Sequence, residues 1–281
     1  MKVKYYVPTR NRSETQSTIK FLPKKILKNT FLVCDKNEVK DYALSCKKII
    51  NKNNIIPFPP GYGNNIIDKY GCFSDKKQWI LDNANEDYLY FLDDDLKFSV
   101  RKGGKLSVAS LSETQDAFDI MNGWLKSQIA HVALSAREGN NRVEEDYVDN
   151  SRAMRVVGYN VKILKKENIK LNRLLLMADF DATLALLKKG LPNRILYSHA
   201  NGQRKSNDAG GCSLYRSPKA MKDAALELAR LNNGLVKVQK KTTSKPWAGF
   251  KTNERYDVTV YWKKAIYFGK AKLTNNITDF F

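Results

Sequence analysis

Long apolar runs are missing from this sequence. No stretch of about 18 consecutive apolar residues occurs in the 281-residue chain, which excludes a helical membrane span. The amino terminus, Met1-Lys2-Val3-Lys4-Tyr5-Tyr6-Val7, lacks the apolar segment and small-residue cleavage site of a secretory signal. It reads as a first strand, and a cytosolic protein is expected. Cysteine is scarce: Cys34, Cys46, Cys72 and Cys212 show no paired spacing, which fits reduced thiols better than a disulfide framework or a zinc site. Glycine and proline are few, 15 and 8, beside abundant Lys and Asn, a bias that fits an AT-rich genome.

Acidic residues are also in deficit, 29 against 49 Lys and Arg, leaving a net charge of +20. Solubility alone needs a net charge of only about 2–8 in a small domain. A field of this size attracts a polyanion, with nucleic acid ahead of a membrane surface. The cations run from Lys2 to Lys272, densest at 162–173, 188–205, 237–251 and 263–272, so folding must assemble the surface that carries them. A hydrophobic content of 42% is ordinary for a globular protein and suffices for one large α/β domain or a domain with an appendage.

What stands out is Asp87-Tyr88-Leu89-Tyr90-Phe91-Leu92-Asp93-Asp94-Asp95-Leu96, where an aromatic run of strand character drives into three carboxylates. Charges at the carboxyl end of a buried strand lie where open α/β sheets place ligands. Three adjacent negative charges repel and call for a divalent cation or another positive group. Strand alternation puts Asp93 and Asp95 on one face and Asp94 on the other, so Asp93 with Asp95 is the pair suited to a metal.

Along the chain, a strand at 2–8 ends in the polar loop Pro8-Thr9-Arg10-Asn11-Arg12. Strands follow at 30–35, ending in Asp35, and at 54–58, with helices expected at 38–50 and at 74–84, the latter capped by Ser74. This alternation implies a mostly parallel sheet. Residues 97–105 read as a basic loop, Ser112–Gln115 as a capping box opening a helix, and 131–137 as a strand that His131 begins as a core histidine. A polar loop at 139–155 and a strand at 155–164 come next. Leu174–Asp181 is a second apolar segment that delivers carboxylates, here into a helix stopped by Gly190. On spacing alone Asp179 is a helix cap or dipole partner as readily as a catalytic acid. The strand-like 194–198 leads to His199 and to Gly210-Gly211, glycines that let backbone approach a phosphate or sugar or simply make a turn. Ser217-Pro218 opens a helix that Gly234 closes. The tail carries strand-like pieces at 235–238, 256–262 and 265–268, with Trp247, Phe250, Tyr256, Tyr261, Trp262 and Tyr267 set between lysines. Such interleaving suits phosphate contact with base stacking, or the core of a small β appendage.

With both acidic segments placed, the chain resembles nucleotide-sugar glycosyltransferases of the GT-A type. More narrowly it is similar to the phage-type DNA-base enzymes called TET-associated glycosyltransferases. The resemblance is carried by Pro8-Thr9-Arg10-Asn11-Arg12, Asp93-Asp94-Asp95, Asp179-Phe180-Asp181 with Leu184-Ala185-Leu186-Leu187, Gly210-Gly211-Cys212 and Trp262-Lys263-Lys264-Ala265. It implies a GT-A-like, Rossmann-type mixed sheet flanked by helices over residues 1–234, with a basic, aromatic-rich segment, 235–281, packing on it. It implies Mn²⁺ or Mg²⁺ on Asp93 and Asp95 with His199 as a further ligand. It also implies a UDP-sugar donor held by Thr9, Arg10, Arg12, Asp35, Lys77, Asp94, Gly210 and Gly211. Asp179 matches the position of the catalytic base. The family's usual preceding Glu is Ala178 here, which leaves Asp179 and Asp181 as alternatives and the stereochemistry open. The expected reaction is sugar transfer to a hydroxylated pyrimidine such as 5-hydroxymethylcytosine in DNA, by a monomer that needs no membrane. A GT-A enzyme acting on a polysaccharide and a non-catalytic DNA-binding protein are the competing readings.

Overall fold

The computed structural model describes residues 2–140, 143–203, 210–244, 246 and 251–274. The strands are β1 (Val3–Pro8), β2 (Thr30–Asp35), β3 (Ile55–Phe58), the two-residue β4 (Ile66–Ile67) and β5 (Tyr70–Gly71), β6 (Tyr88–Leu92), β7 (Lys97–Lys102), β8 (Lys105–Val108), β9 (His131–Ala136), β10 (Tyr147–Asp149), β11 (Val156–Asn160), β12 (Asn193–Gly202), β13 (Val236–Thr242) and β14 (Glu254–Val260). The helices are α1 (Lys24–Leu27), α2 (Val39–Ser45), α3 (Phe73–Asn83), α4 (Leu111–Lys126), α5 (Arg137–Asn140), α6 (Val161–Lys166), α7 (Ala178–Leu187), α8 (Pro218–Leu231) and α9 (Trp262–Thr274).

Ten strands join in one sheet in the order β3-β2-β1-β6-β11-β9-β12-β7-β8, with β10 also pairing β12. The first four run parallel, whereas β11 is antiparallel to both β6 and β9, and β12 is antiparallel to β7. Helices therefore cover both faces, and β6 (YLYFL) is apolar at every position because both of its sides are buried. On one face Tyr5 stacks on Tyr90 at 5.1 Å and Phe118 of α4 meets both edge-on at 5.4 and 5.5 Å. Each such ring contributes roughly 1.5–3 kcal/mol by burial. On the other face Phe91 and Tyr159 pack with Ala182 and Leu186 of α7. Gly158 of β11 lies against the Tyr90 ring, and a Cβ there would collide with it.

Several local expectations need correction. Residues 97–105 form a hairpin, β7–β8, turned at Gly103-Gly104 with φ of 54° and 78°, the left-handed pair that a tight hairpin turn requires. The cap of α4 is Ser110, whose hydroxyl accepts from Glu113 N–H while the Glu113 carboxylate accepts from Ser110 N–H, two residues before the expected box. Cys72 occupies the N-cap of α3, and Ser74 lies inside the helix with its hydroxyl donated to the Leu174 carbonyl. The expected loop at 139–155 contains β10, the strand at 155–164 gives way to α6 after Asn160, and residues 265–268 belong to α9. A third apolar cluster joins Leu184 and Leu187 of α7 to Leu228 of α8, Leu235, and Ala265 and Ile266 of α9, which seats the β13–β14 hairpin and α9 on the main body.

His131 is fully buried, stacked on Tyr159 at 5.8 Å, with Nε2 2.9 Å from Asn193 Nδ2. Burial lowers its pKa to about 3. The folded protein thus refuses a proton that the unfolded chain takes up near pH 6.5, so stability is full above that pH and is lost as pH falls toward 3. At pH 5 this amounts to about 2 kcal/mol. Urea unfolding at pH 7 and pH 5 should show that loss in the native protein and a smaller one in His131→Gln; equal losses would remove His131 as the cause.

Candidate active site

The acidic triplet leaves the end of β6 as a turn, and its backbone is pinned. Asp93 N–H donates to the Arg155 carbonyl (2.9 Å), Thr18 Oγ1 donates to the Asp93 carbonyl (2.6 Å), and Ser17 and Thr18 N–H both reach the Asp94 carbonyl. Because the chain turns, strand alternation stops at Asp93, and Asp94 and Asp95 both reach Arg12. Arg12 Nη1 lies 2.5 Å from Asp94 and 3.3 Å from Asp95, while Asp93 faces Lys77. Asp93 keeps the side of Phe91, over whose ring Lys77 lies at 5.6 Å. The three acids, Arg12, Gly211 and Arg216 line a pocket of about 490 Å³.

Electrostatics single out two of these acids. Burial pushes the Asp93 carboxyl up to about 6, with Lys77 opposing the shift and Asp95 and Asp94 adding to it. Burial, then the charge of Asp94, raises Asp95 as well. Two crowded carboxylates held partly against their charged form are a setting that a cation relieves. Among the described residues no group of three His, Cys, Asp or Glu side chains forms a ready-made metal cage. Asp93 and Asp95 are the two carboxylates of the triplet that could hold a cation.

The loop after β1 is organised by buried pairs. Thr9 Oγ1 donates to Asp94 Oδ2 (2.6 Å) and lies 2.7 Å from the Tyr42 hydroxyl. Asp35 is 2% exposed and held between Arg10 Nε (2.8 Å) and Lys76 Nζ (2.7 Å). Lys76 also donates to the Thr9 carbonyl at 2.6 Å. Thr9, Arg10 and Asp35 thus shape the site from within, but Arg10 Nη1 and Glu38 Oε2 are buried with no hydrogen-bond partner among the described residues. Gly210 and Gly211, with φ of 86° and 63°, press against this loop: Gly211 N–H donates to the Arg10 carbonyl, and a Cβ on Gly210 would lie 2.6 Å from the Asn11 carbonyl. Their freedom serves a backbone–backbone approach that brings Cys212 and Ser213 to the pocket.

The second acidic segment divides. Asp181 is 1% exposed, with Arg173 on both oxygens (2.8 and 2.5 Å) and Asn232 on Oδ1, so it is a structural ion pair closed to an acceptor. Asp179 is half-buried, and Arg152 grips one oxygen, Oδ2, through Nε (2.8 Å) and Nη2 (2.7 Å). Oδ1 has no hydrogen-bond partner among the described residues. Phe91, just before the triplet, packs in one apolar cluster with Ala182 and Leu186 of α7, so the helix that carries Asp179 covers the sheet face that Phe91 occupies, while Asp179 itself is not among the residues lining the pocket. Asp181→Ala is expected to lower stability by roughly 1–2 kcal/mol, because the buried carboxylate's hydrogen bonds to Arg173 and Asn232 are lost while the exposed Arg173 returns to solvent. Asp179→Ala should leave the melting temperature near the native value while transfer is lost; equal destabilisation by the two would erase the distinction.

The structure does not bring His199 to the triplet. Its Nδ1 lies 3.1 Å from Ser198 Oγ, and the acids that act on it are Asp116, Glu113 and Asp146. In the β12–β7 register His199 pairs with Val100, three rungs from Gly202 opposite Lys97, and that spacing removes it from the pocket. The loop 205–209 and the aromatic residues Trp247 and Phe250 lie outside the described residues. Lys76, Thr18, Arg152, Arg155 and Arg216 were not foreseen. Lys76 carried a signal, a lysine beside Lys77 in a helix leading to the acidic strand, but nothing in the sequence says which of the two turns inward.

A parallel half-sheet with an acidic turn at its carboxyl edge, met by a basic loop, gives a GT-A-like, Rossmann-type mixed sheet. The model of the TET-associated glycosyltransferase family matches residues 3–211, and the chain belongs to that family. No curated protein sequence matches it. Solved structures with a similar chain course include TarS of S. aureus, residues 1–349 (13% identity, 82% of this chain and 66% of that one, TM-score 0.47). A mycobacterial protein (9% identity, 92% and 83% covered, TM-score 0.49) and GalNAc-T7 with UDP, GalNAc and Mn²⁺ (10% identity, 72% and 44% covered, TM-score 0.43) are others. Among the described residues no helix is long and apolar enough to cross a membrane.

Proposed function

We propose that this glycosyltransferase moves a sugar from a UDP-sugar to a hydroxylated pyrimidine, such as 5-hydroxymethylcytosine, in DNA, with Mn²⁺ or Mg²⁺ at Asp93 and Asp95. The observation that carries the reading is the pairing of that crowded acidic turn with a half-free Asp179 on the same face of a chain of net charge +20. A divalent cation bound there supplies charge neutralisation to the departing diphosphate.

The remaining steps belong to this chain's own groups. Arg12 holds Asp94 and Asp95 in place, and Lys77 stands beside Asp93 on the side where diphosphate charge develops. Arg10 Nη1 and Glu38 Oε2, unfilled donor and acceptor, suit the uracil edge. Asp179 Oδ1 takes the acceptor hydroxyl proton while Arg152 fixes the carboxylate through the other oxygen. The net positive field draws the polyanionic acceptor. Mass spectrometry of hydroxymethylated and unmodified DNA, incubated with Mn²⁺ and a panel of UDP-sugars, is the test. A hexose or pentose mass increment on the hydroxymethylated substrate alone is expected, and an unchanged mass with every donor would end the acceptor assignment.

A further inference from the structure

We infer that a second feature, an open groove of about 820 Å³ at the start of α9, is a track for one strand of the nucleic acid acceptor. The inference rests on the DNA reading above and adds to it a binding surface outside the acidic pocket. One wall is Asn150 and Ser151, after β10; the other is Tyr261, Trp262, Lys263 and Lys264, between β14 and α9.

Three properties of this groove fit a nucleic acid strand. Tyr261 is 44% exposed, a large ring left open to stack on a base or sugar. Lys263 and Lys264 are exposed and have no carboxylate partner among the described residues, while the one acid in the groove, Asp149, is neutralised by Arg194 at 2.7 and 2.9 Å. Lys264 Nζ lies over the Phe268 ring at 5.5 Å and keeps its charge, so two exposed cations beside a cancelled anion favour phosphate over an acidic or neutral surface. Asn150 Oδ1, buried in the wall of the groove and without a hydrogen-bond partner among the described residues, is an unmet acceptor beside it.

The groove also leads to the chemistry. Trp262 stacks on Phe180 at 5.9 Å, Arg152 lies over the other side of Phe180 at 3.7 Å, and Arg152 holds Asp179. A strand laid along Lys263 and Lys264 thus has its next nucleotide directed to the residue positioned to take the acceptor's proton. Polar and ring contacts in unbroken sequence join the groove to the base.

Fluorescence anisotropy with a labelled, unmodified oligonucleotide, titrated at several salt concentrations, tests this without turnover. Lys263→Ala with Lys264→Ala should weaken binding about tenfold and reduce the salt slope by about 1.4, near 0.7 per single-strand phosphate contact. Tyr261→Ala should weaken binding about tenfold with the slope unchanged. Lys47→Ala with Lys48→Ala removes the same charge from an exposed stretch away from the groove and should bind nearly as the native protein does. If that pair loses as much as the groove pair, or if the groove pair binds normally, the groove is overturned and the DNA reading stands. If the native protein itself binds no oligonucleotide, both fall.

Discussion

Asn at both Asp93 and Asp95 should lower sugar transfer by at least about 10²–10³-fold while leaving the fold as stable as before or more so. Asn keeps the shape and hydrogen-bonding reach of each side chain and removes only the charge. Both carboxyls are raised by burial and by their acidic neighbours, Asp93 to about 6, so the folded state already disfavours their ionised forms. Neutral side chains relieve that repulsion, and thermal melting should show no loss. DNA affinity should hold or rise, since two negative charges leave a basic surface. The same variant separates the competing readings: a protein that only binds DNA has no turnover to lose. Transfer by the double variant within a few-fold of native would mean that these carboxylates do not act in the reaction.

The frame of this site was legible because its signals are local. An apolar run of five residues ending in acids identifies β6 and its carboxyl end, and the loop after β1 follows from Pro8 and the arginines behind it. Contacts set by register were not legible. His199 and Gly202 lie three residues apart on β12, yet Gly202 pairs with Lys97 near the triplet and His199 with Val100 above it, a displacement visible only once β7 and β12 pair. Asp179 and Asp181 share a helix turn and carry the same charge, but Arg173 and Asn232 close around one while Arg152 half-holds the other. Partners so distant in sequence leave no mark on local spacing.

Other differences had signals that competed with stronger ones. Gly103-Gly104 is a hairpin turn, yet the lysines and arginine around it read as a solvated loop. Ala265–Phe268 is apolar enough for a strand, and only the cluster with Leu184, Leu187 and Leu228 fixes it as part of a helix. Tertiary packing decides such short apolar runs because propensity alone separates helix from strand by well under 1 kcal/mol per residue.

Lys76→Met should destabilise the protein by roughly 1.5–3 kcal/mol, because the buried Asp35 loses one of its two counter-charges and keeps only Arg10. Lys76 is fully buried in α3, and its ammonium is the shared partner of the Asp35 carboxylate and the Thr9 carbonyl. Burial lowers its pKa, and the charge and hydrogen bond of Asp35, followed by the charge of Glu38, oppose that shift. Met matches the stem of lysine in length and fills the space between Phe58 and Phe73, whose rings each lie 5.6 Å from Nζ. The loss is therefore electrostatic. Asp35→Asn in the same chain should restore part of it, because the neutral amide no longer needs a full counter-charge beyond Arg10. Urea unfolding of the two single variants and the double variant gives the coupling energy directly. A simple sum of the single effects would show that Lys76 and Asp35 do not act as a pair. A non-additive result, with donor binding weakened in Lys76→Met, would tie the buried ammonium to the placement of Thr9, Arg10 and Arg12 over the acidic turn.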